Sequence, residues 1–125
     1  MRRILTIDIE TLPALKMDSS VASAPQAGQH VEDHLKTALN VDFGRILCIG
    51  FIDEDTQGIR SGVLGWDEPW DQFTGDERGT LAQFWQLMKG FSPNRDCIVG
   101  HNIFDFDLKF IFKRSIAHGV RHELA

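Results

Sequence analysis

The chain has 125 residues, 42% of them hydrophobic and 25% charged, with a formal net charge of −5. That length suffices for one domain with a real core, and the balance is that of a soluble globular chain rather than a disordered or fibrous one. No run approaches the ~18 uncharged apolar residues of a membrane span. The acidic charge argues against passive coating of nucleic acid, but not against an enzyme whose acids hold metal ions that reverse the local field.

The start, Met1-Arg2-Arg3, is basic like a signal peptide, yet Asp8 and Glu10 interrupt the following apolar run too early for a leader. The stretch from Ile4 to Thr11 reads as a buried strand that runs out into polar residues. Alternation places Leu5, Ile7 and Ile9 on one face and Ile4, Thr6, Asp8 and Glu10 on the other. Two carboxylates thus leave the same strand end side by side. At about 4–5 Å and an effective dielectric near 20, they would repel by roughly 3–4 kcal/mol. A hard divalent cation relieves that repulsion, and Mg²⁺ or Mn²⁺ is the first candidate. The plainer alternative is a strand end with two solvated acids.

A polar segment follows, roughly Leu12 to Phe43, with a possible short helix over His30 to Leu39. So long a connection predicts a functional or mobile loop, here at the site entrance. His30, His34 and His101 do not read as metal ligands. Gly44 to Asp53 is the next strand, Gln57-Gly58 a turn and Ile59 to Trp66 a third strand, the last two strands forming an antiparallel hairpin. Glu68 to Asp71 and Thr74 to Asp76 read as loop. Asp76 or Thr74 is an N-cap for a helix over Glu77 to Lys89, whose Leu81, Phe84, Trp85 and Met88 form one apolar stripe. Asp96 to Gly100 reads as a central strand, apolar throughout. A second helix is predicted from about Phe106 to His118, ending at Gly119. Cys48 and Cys97 lie in apolar runs and read as buried free thiols, which suits a cytoplasmic location. The element order predicts a mixed α/β sheet flanked by helices.

The second constellation is Gly100-His101-Asn102-Ile103-Phe104-Asp105-Phe106-Asp107-Leu108-Lys109. Read by itself, it offers a close-approach glycine, Asp105 as a cap and Asp107 as a first-turn acid. Together with Asp8 and Glu10, Asp107 would make a three-carboxylate cluster at the carboxyl edge of the sheet, where open α/β sheets carry their sites.

Here the chain resembles the DEDD (DnaQ-like) 3′–5′ exonucleases. Asp8-Ile9-Glu10-Thr11 is similar to their first motif, and Gly100 to Lys109 to their second. Asn102 followed by Phe106-Asp107 is nearest the proofreading exonuclease of family B DNA polymerases. The resemblance spans nearly the whole chain apart from Leu12 to Phe43. It implies an RNase H-like fold and two-metal hydrolysis of phosphodiesters at a nucleic-acid 3′ end, probable substrate single-stranded DNA, in a role such as DNA repair. By that resemblance Asp8, Glu10 and Asp107 are catalytic and bind Mg²⁺ or Mn²⁺. Thr11, Leu12, Asn102 and Phe106 would then touch the substrate, and Lys109, Lys113 and Arg114 could face phosphates. The family's third motif, with a fourth acid and a Tyr or His base, is not found before Ala125, and the chain has no Tyr. The expectation is therefore the N-terminal part of a larger exonuclease domain, incomplete at the C-terminus. The alternative is a catalytically incomplete RNase H-like domain that binds nucleic acid or a protein. A haloacid dehalogenase-like reading of Asp8-Ile9-Glu10-Thr11 lacks its downstream lysine and acidic pair.

Overall fold

A computed structural model describes residues 2–13 and 44–121. The segment expected to be an entrance loop, apart from Leu12 and Pro13, and with it His30 and His34, lies outside the described residues. Strand β1 (Ile4–Leu12) is central, with β2 (Arg45–Asp55) antiparallel on one side and β6 (Cys97–Val99) parallel on the other. Strand β3 (Gly58–Leu64) pairs antiparallel with β2. The sheet order is β3-β2-β1-β6, a mixed sheet. A two-stranded ribbon, β4 (Trp66–Asp67) and β5 (Gln72–Phe73), precedes helix α1 (Glu77–Leu87). A π-helical turn (Ile103–Asp107) leads into helix α2 (Leu108–His118). Among the described residues, no helix is long and apolar enough to cross a membrane.

The expected periodicities meet in one core. Leu5, Ile7 and Ile9 of β1 are buried with Ile49 of β2, beneath Leu81, Phe84, Trp85 and Met88 of α1 and Phe110 and Ile111 of α2. Trp85 donates its indole N–H to Ser115 Oγ at 3.0 Å, which joins the two helices without leaving a buried donor unpaired. Asp76 caps α1 by accepting the Gly79 N–H at 3.0 Å. Gly119 ends α2 with φ 65°.

Three expectations need correction. The third strand stops at Leu64, because Gly65 takes φ 88° and turns the chain into the ribbon. A Cβ at Gly65 would lie 2.8 Å from both the Leu47 carbonyl and Thr80 Oγ1, so only glycine permits the turn. The end of the expected third strand, Trp66, belongs instead to β4, and β5 lies between the two stretches read as loop. The strand expected at Asp96 to Gly100 is only Cys97–Val99 and lies at the edge among the described strands. Its apolar residues follow from packing on one face, with Val99 left 43% exposed. Cys97 is accordingly only half-buried, whereas Cys48 is buried, and both are free thiols.

Two ionic clusters fasten the layers. Arg3 grips Asp53 through Nε and Nη2 at 2.7 and 3.0 Å and also donates to the Leu87 carbonyl at the end of α1. Its own backbone N–H donates to Asp96 at 3.0 Å. Glu77, at the start of α1, accepts the Ile46 N–H and is bonded by Arg114 and His118 of α2. This cluster ties both helices to β2. Burial opposes the charge of Glu77, but Arg114, the Ile46 N–H and His118 outweigh it and hold the carboxyl below the ordinary 4.5.

A carboxyl lowered by folding stabilises the fold above its ordinary pKa, and that contribution is lost as pH falls through the folded value. Melting followed by circular dichroism should thus decline as pH drops below 4.5, with Asp53, held low by Arg3 and Arg60, adding to the slope. Glu77→Ala should cost about 3 kcal/mol at neutral pH, the low end for removing one member of a buried pair. Its acid limb should be flatter than the parent's. Equal acid limbs in both proteins would show that the Glu77 cluster does not govern acid stability.

Candidate functional site

The carboxylates of the first motif emerge on the face of β1 away from the helices. Asp8 and Glu10 are exposed, while Ile7 and Ile9 between and before them are buried. Water screens two exposed acids, so their mutual repulsion falls well below the few kcal/mol expected for an unscreened pair. Immediately after Glu10 the ladder with β2 slips: Glu10 stands against Cys48, but Thr11 stands against Ile46. Leu47 is the extra residue of a bulge, a device that re-aims side chains at a strand end.

Strand β6 ends at Val99, opposite Thr6. Beyond that point the edge of β1 has no strand partner on this side, and its N–H groups need another acceptor. Asp107 supplies it. Its Oδ2 accepts the Ile9 N–H at 3.1 Å, 98 residues away in sequence. The second motif is therefore bonded to the residue lying between Asp8 and Glu10. Asp107 is 3% exposed. Burial pushes its carboxyl above the ordinary carboxylate range, the Ile9 N–H pulls it back, and the Asp8 charge pushes it up again. The electrostatic strain of the site thus resides in the buried acid and its neighbour Asp8 rather than in the exposed pair.

The geometry of the π turn delivers this carboxylate. Asn102 sits in the left-handed region at φ 53°, ψ 37°, which asparagine tolerates better than most residues. The Phe106 N–H then bonds the Asn102 carbonyl at 3.0 Å, and the Leu108 N–H reaches back five residues to Ile103. In this wide turn Ile103 and Asp107 face inward while Phe104 and Asp105 stay exposed. Asp105 is exposed, and the acid that follows Phe106 is the one bonded to β1. Gly100 allows the close approach. A Cβ there would lie 2.9 Å from the Ile7 carbonyl and 2.8 Å from Ile103 Cδ1.

The remaining expected residues divide by environment. Thr11 and Leu12 are half-buried and lie within β1, past the bulge, so the strand extends further than the expected loop boundary. Asn102 is exposed beside the site. The Phe106 ring is half-buried and packs 5.5 Å from Phe110, centroid to centroid, so most of its surface serves the core. Lys109 and Lys113 are exposed. Arg114 does not face a phosphate: Glu77 occupies its guanidinium. Sequence reasoning missed Cys48, a buried thiol opposite Glu10 whose pKa is raised by burial first, and then by the charges of Glu10 and Asp8. The signal for it was available only through the register of β1 against β2.

Among the described residues, no three His, Cys, Asp or Glu side chains are grouped so as to hold a metal ion as they stand. The donor chemistry nevertheless suits a hard cation. A buried carboxylate that accepts the Ile9 N–H lies beside two exposed ones. Asp8 and Glu10 would have to turn toward Asp107 to share an ion. Comparison of the chain with protein-family models, curated proteins and solved structures gave no match.

Gly100→Ala should disturb the site more than its single methyl suggests. Overpacking against the backbone of the central strand should cost about 1–3 kcal/mol, and the Ile9 amide should exchange with solvent faster as Asp107 withdraws. Hydrogen exchange at Ile9 unchanged from the parent would show that Gly100 does not set this contact.

Proposed function

We propose that the chain carries the first two acid motifs of an RNase H-like, metal-dependent 3′–5′ exonuclease. The observation that carries this reading is the bond from the Ile9 N–H to Asp107. It joins two motifs at the carboxyl end of β1 and buries a charge that a fold alone has little reason to keep. The strand order β3-β2-β1-β6, with only β6 parallel to β1, also supports an RNase H-like arrangement.

On this reading Asp8, Glu10 and Asp107 hold Mg²⁺ or Mn²⁺. When bound, such ions generate a hydroxide from water and stabilise the leaving oxygen of a phosphodiester. The chain's own residues position the strand end. Thr11 and Leu12, carried past the bulge, border the carboxylates, and the exposed Asn102 stands across from them at the head of the π turn. The substrate is a nucleic-acid 3′ end, with single-stranded DNA as the first choice. A second reading, a module that binds nucleic acid or protein without cutting it, is favoured by one observation: the three carboxylates are not gathered around a common point among the described residues.

Metal binding separates the two readings. A cation that binds only the folded state stabilises it by RT ln(1 + [L]/Kd), about 2.7 kcal/mol at 100 times Kd, or a melting shift on the order of 10 °C at most for this size of domain. Mn²⁺ should shift melting more than Mg²⁺, and Asp8→Asn should abolish the response while leaving the metal-free protein at least as stable. Equal melting in Mn²⁺ and EDTA would sink the metal site and favour the binding module.

Activity gives a second test. A longer version that includes the third motif should degrade single-stranded 3′ ends in Mn²⁺, and Asp8→Asn in that version should not. The 125-residue chain alone should show little digestion, since one more acid and a base are needed to complete the site. Robust Asp8-dependent digestion by the short chain would overturn the need for those groups.

A further inference from the structure

Two grooves lie side by side across the C-terminal turn of α1, remote from the carboxylates, and both reach Gln86 and Lys89. The first, 540 Å³, also borders Arg3 and Arg60, together with Asp53 and Asp55. Asp53 is already bonded to both arginines, at 2.7 Å each by the nearest contact. The second groove, 390 Å³, is bordered by Arg78, Lys89 and Arg121, with no acid among its described lining residues. Arg78, Ala82, Trp85 and Gln86 border the groove from α1, and Lys89 borders it from the turn just past the helix.

This concentration of positive charge occurs in a chain whose net charge is −5, so the rest of the molecule is more acidic than the average suggests. Arg78 follows Glu77, whose carboxylate takes the N–H of Ile46, the partner of Thr11 in the sheet. The floor offers little apolar anchorage: Trp85 is 6% exposed and its N–H is already bonded to Ser115. An occupant must be recognised by charge repeated along its length.

We propose that the Arg78–Lys89 trough holds the phosphate backbone of a single-stranded nucleic acid at a distance from the carboxylates. The choice of nucleic acid over another polyanion rests on the exonuclease reading above. The trough takes the strand independently of base sequence, because lysine and arginine on phosphates read charge rather than bases.

The test is binding of a fluorescein-labelled oligothymidylate to the whole chain in EDTA, followed by anisotropy across a salt series, so that no cutting is required. Arg78→Ala combined with Lys89→Ala should lower the slope of log Kd against log salt by about 1.4, at roughly 0.7 per phosphate contact on a single strand. The charge-keeping pair Arg78→Lys and Lys89→Arg should retain the parental slope, which separates lost contacts from lost folding. Both variants should melt like the parent.

An unchanged slope in the alanine pair would overturn the proposal. So would polyglutamate binding as tightly as the oligonucleotide, which would assign the trough to an acidic protein. Failure of the exonuclease reading has a different signature. Asp8→Asn would then leave the Mn²⁺ melting response as it is in the parent, whatever the oligonucleotide does.

Discussion

The hydrogen bond from the Ile9 N–H to Asp107 is the contact on which the organisation of this chain depends. It exists because β6 is short. Pairing with β1 ends at Thr6 and Val99, and the chain turns away at Gly100 before the central strand is finished. A strand N–H left open at that depth must find an acceptor. A carboxylate from the head of α2 fills the place, and so the first and second acid motifs are joined through the backbone itself. The arrangement leaves a buried acid close to an exposed one, which is unfavourable unless a proton or a cation intervenes.

The two ionic clusters have a different character. Asp53 and Glu77 are buried carboxylates as well, but each is matched by arginines that hold it in the charged form. They fasten helices to strands and have no unmet demand. Asp107 differs because backbone N–H groups rather than an arginine bond it, and its pKa moves up rather than down. That opposite direction sets Asp107 apart from the two carboxylates that arginines hold charged. The distinction also explains why Arg114 is a poor candidate for phosphate contact despite its place on α2: its charge is already consumed by Glu77.

The surface divides along similar lines. The carboxylate end of β1 presents negative charge to solvent, and the groove on the flank of α1 has basic side chains and no acid among its described lining residues. In an acidic chain such separation lets one polyanion meet a local field opposite to the global one. The stripe of Leu81, Phe84, Trp85 and Met88 is buried, and Arg78 and Lys89 border the groove beside Trp85 at its edge.

Much of this was legible from residue order. The alternation of Leu5, Ile7 and Ile9 against Asp8 and Glu10 settled which face of β1 is buried, because side chains in a strand have a period of two. The stripe of α1, the cap at Asp76 and the stop at Gly119 are local chemistry and were equally readable. What the tertiary structure alone decided depends on contacts between distant segments. The early end of β6, the bulge that sets Glu10 against Cys48, the capture of Arg114 by Glu77 and the burial of Asp107 all arise where strands or helices far apart in sequence meet. Local propensity carries no information about such meetings, since the register of a sheet and the partner of a buried charge are chosen by packing across the whole domain.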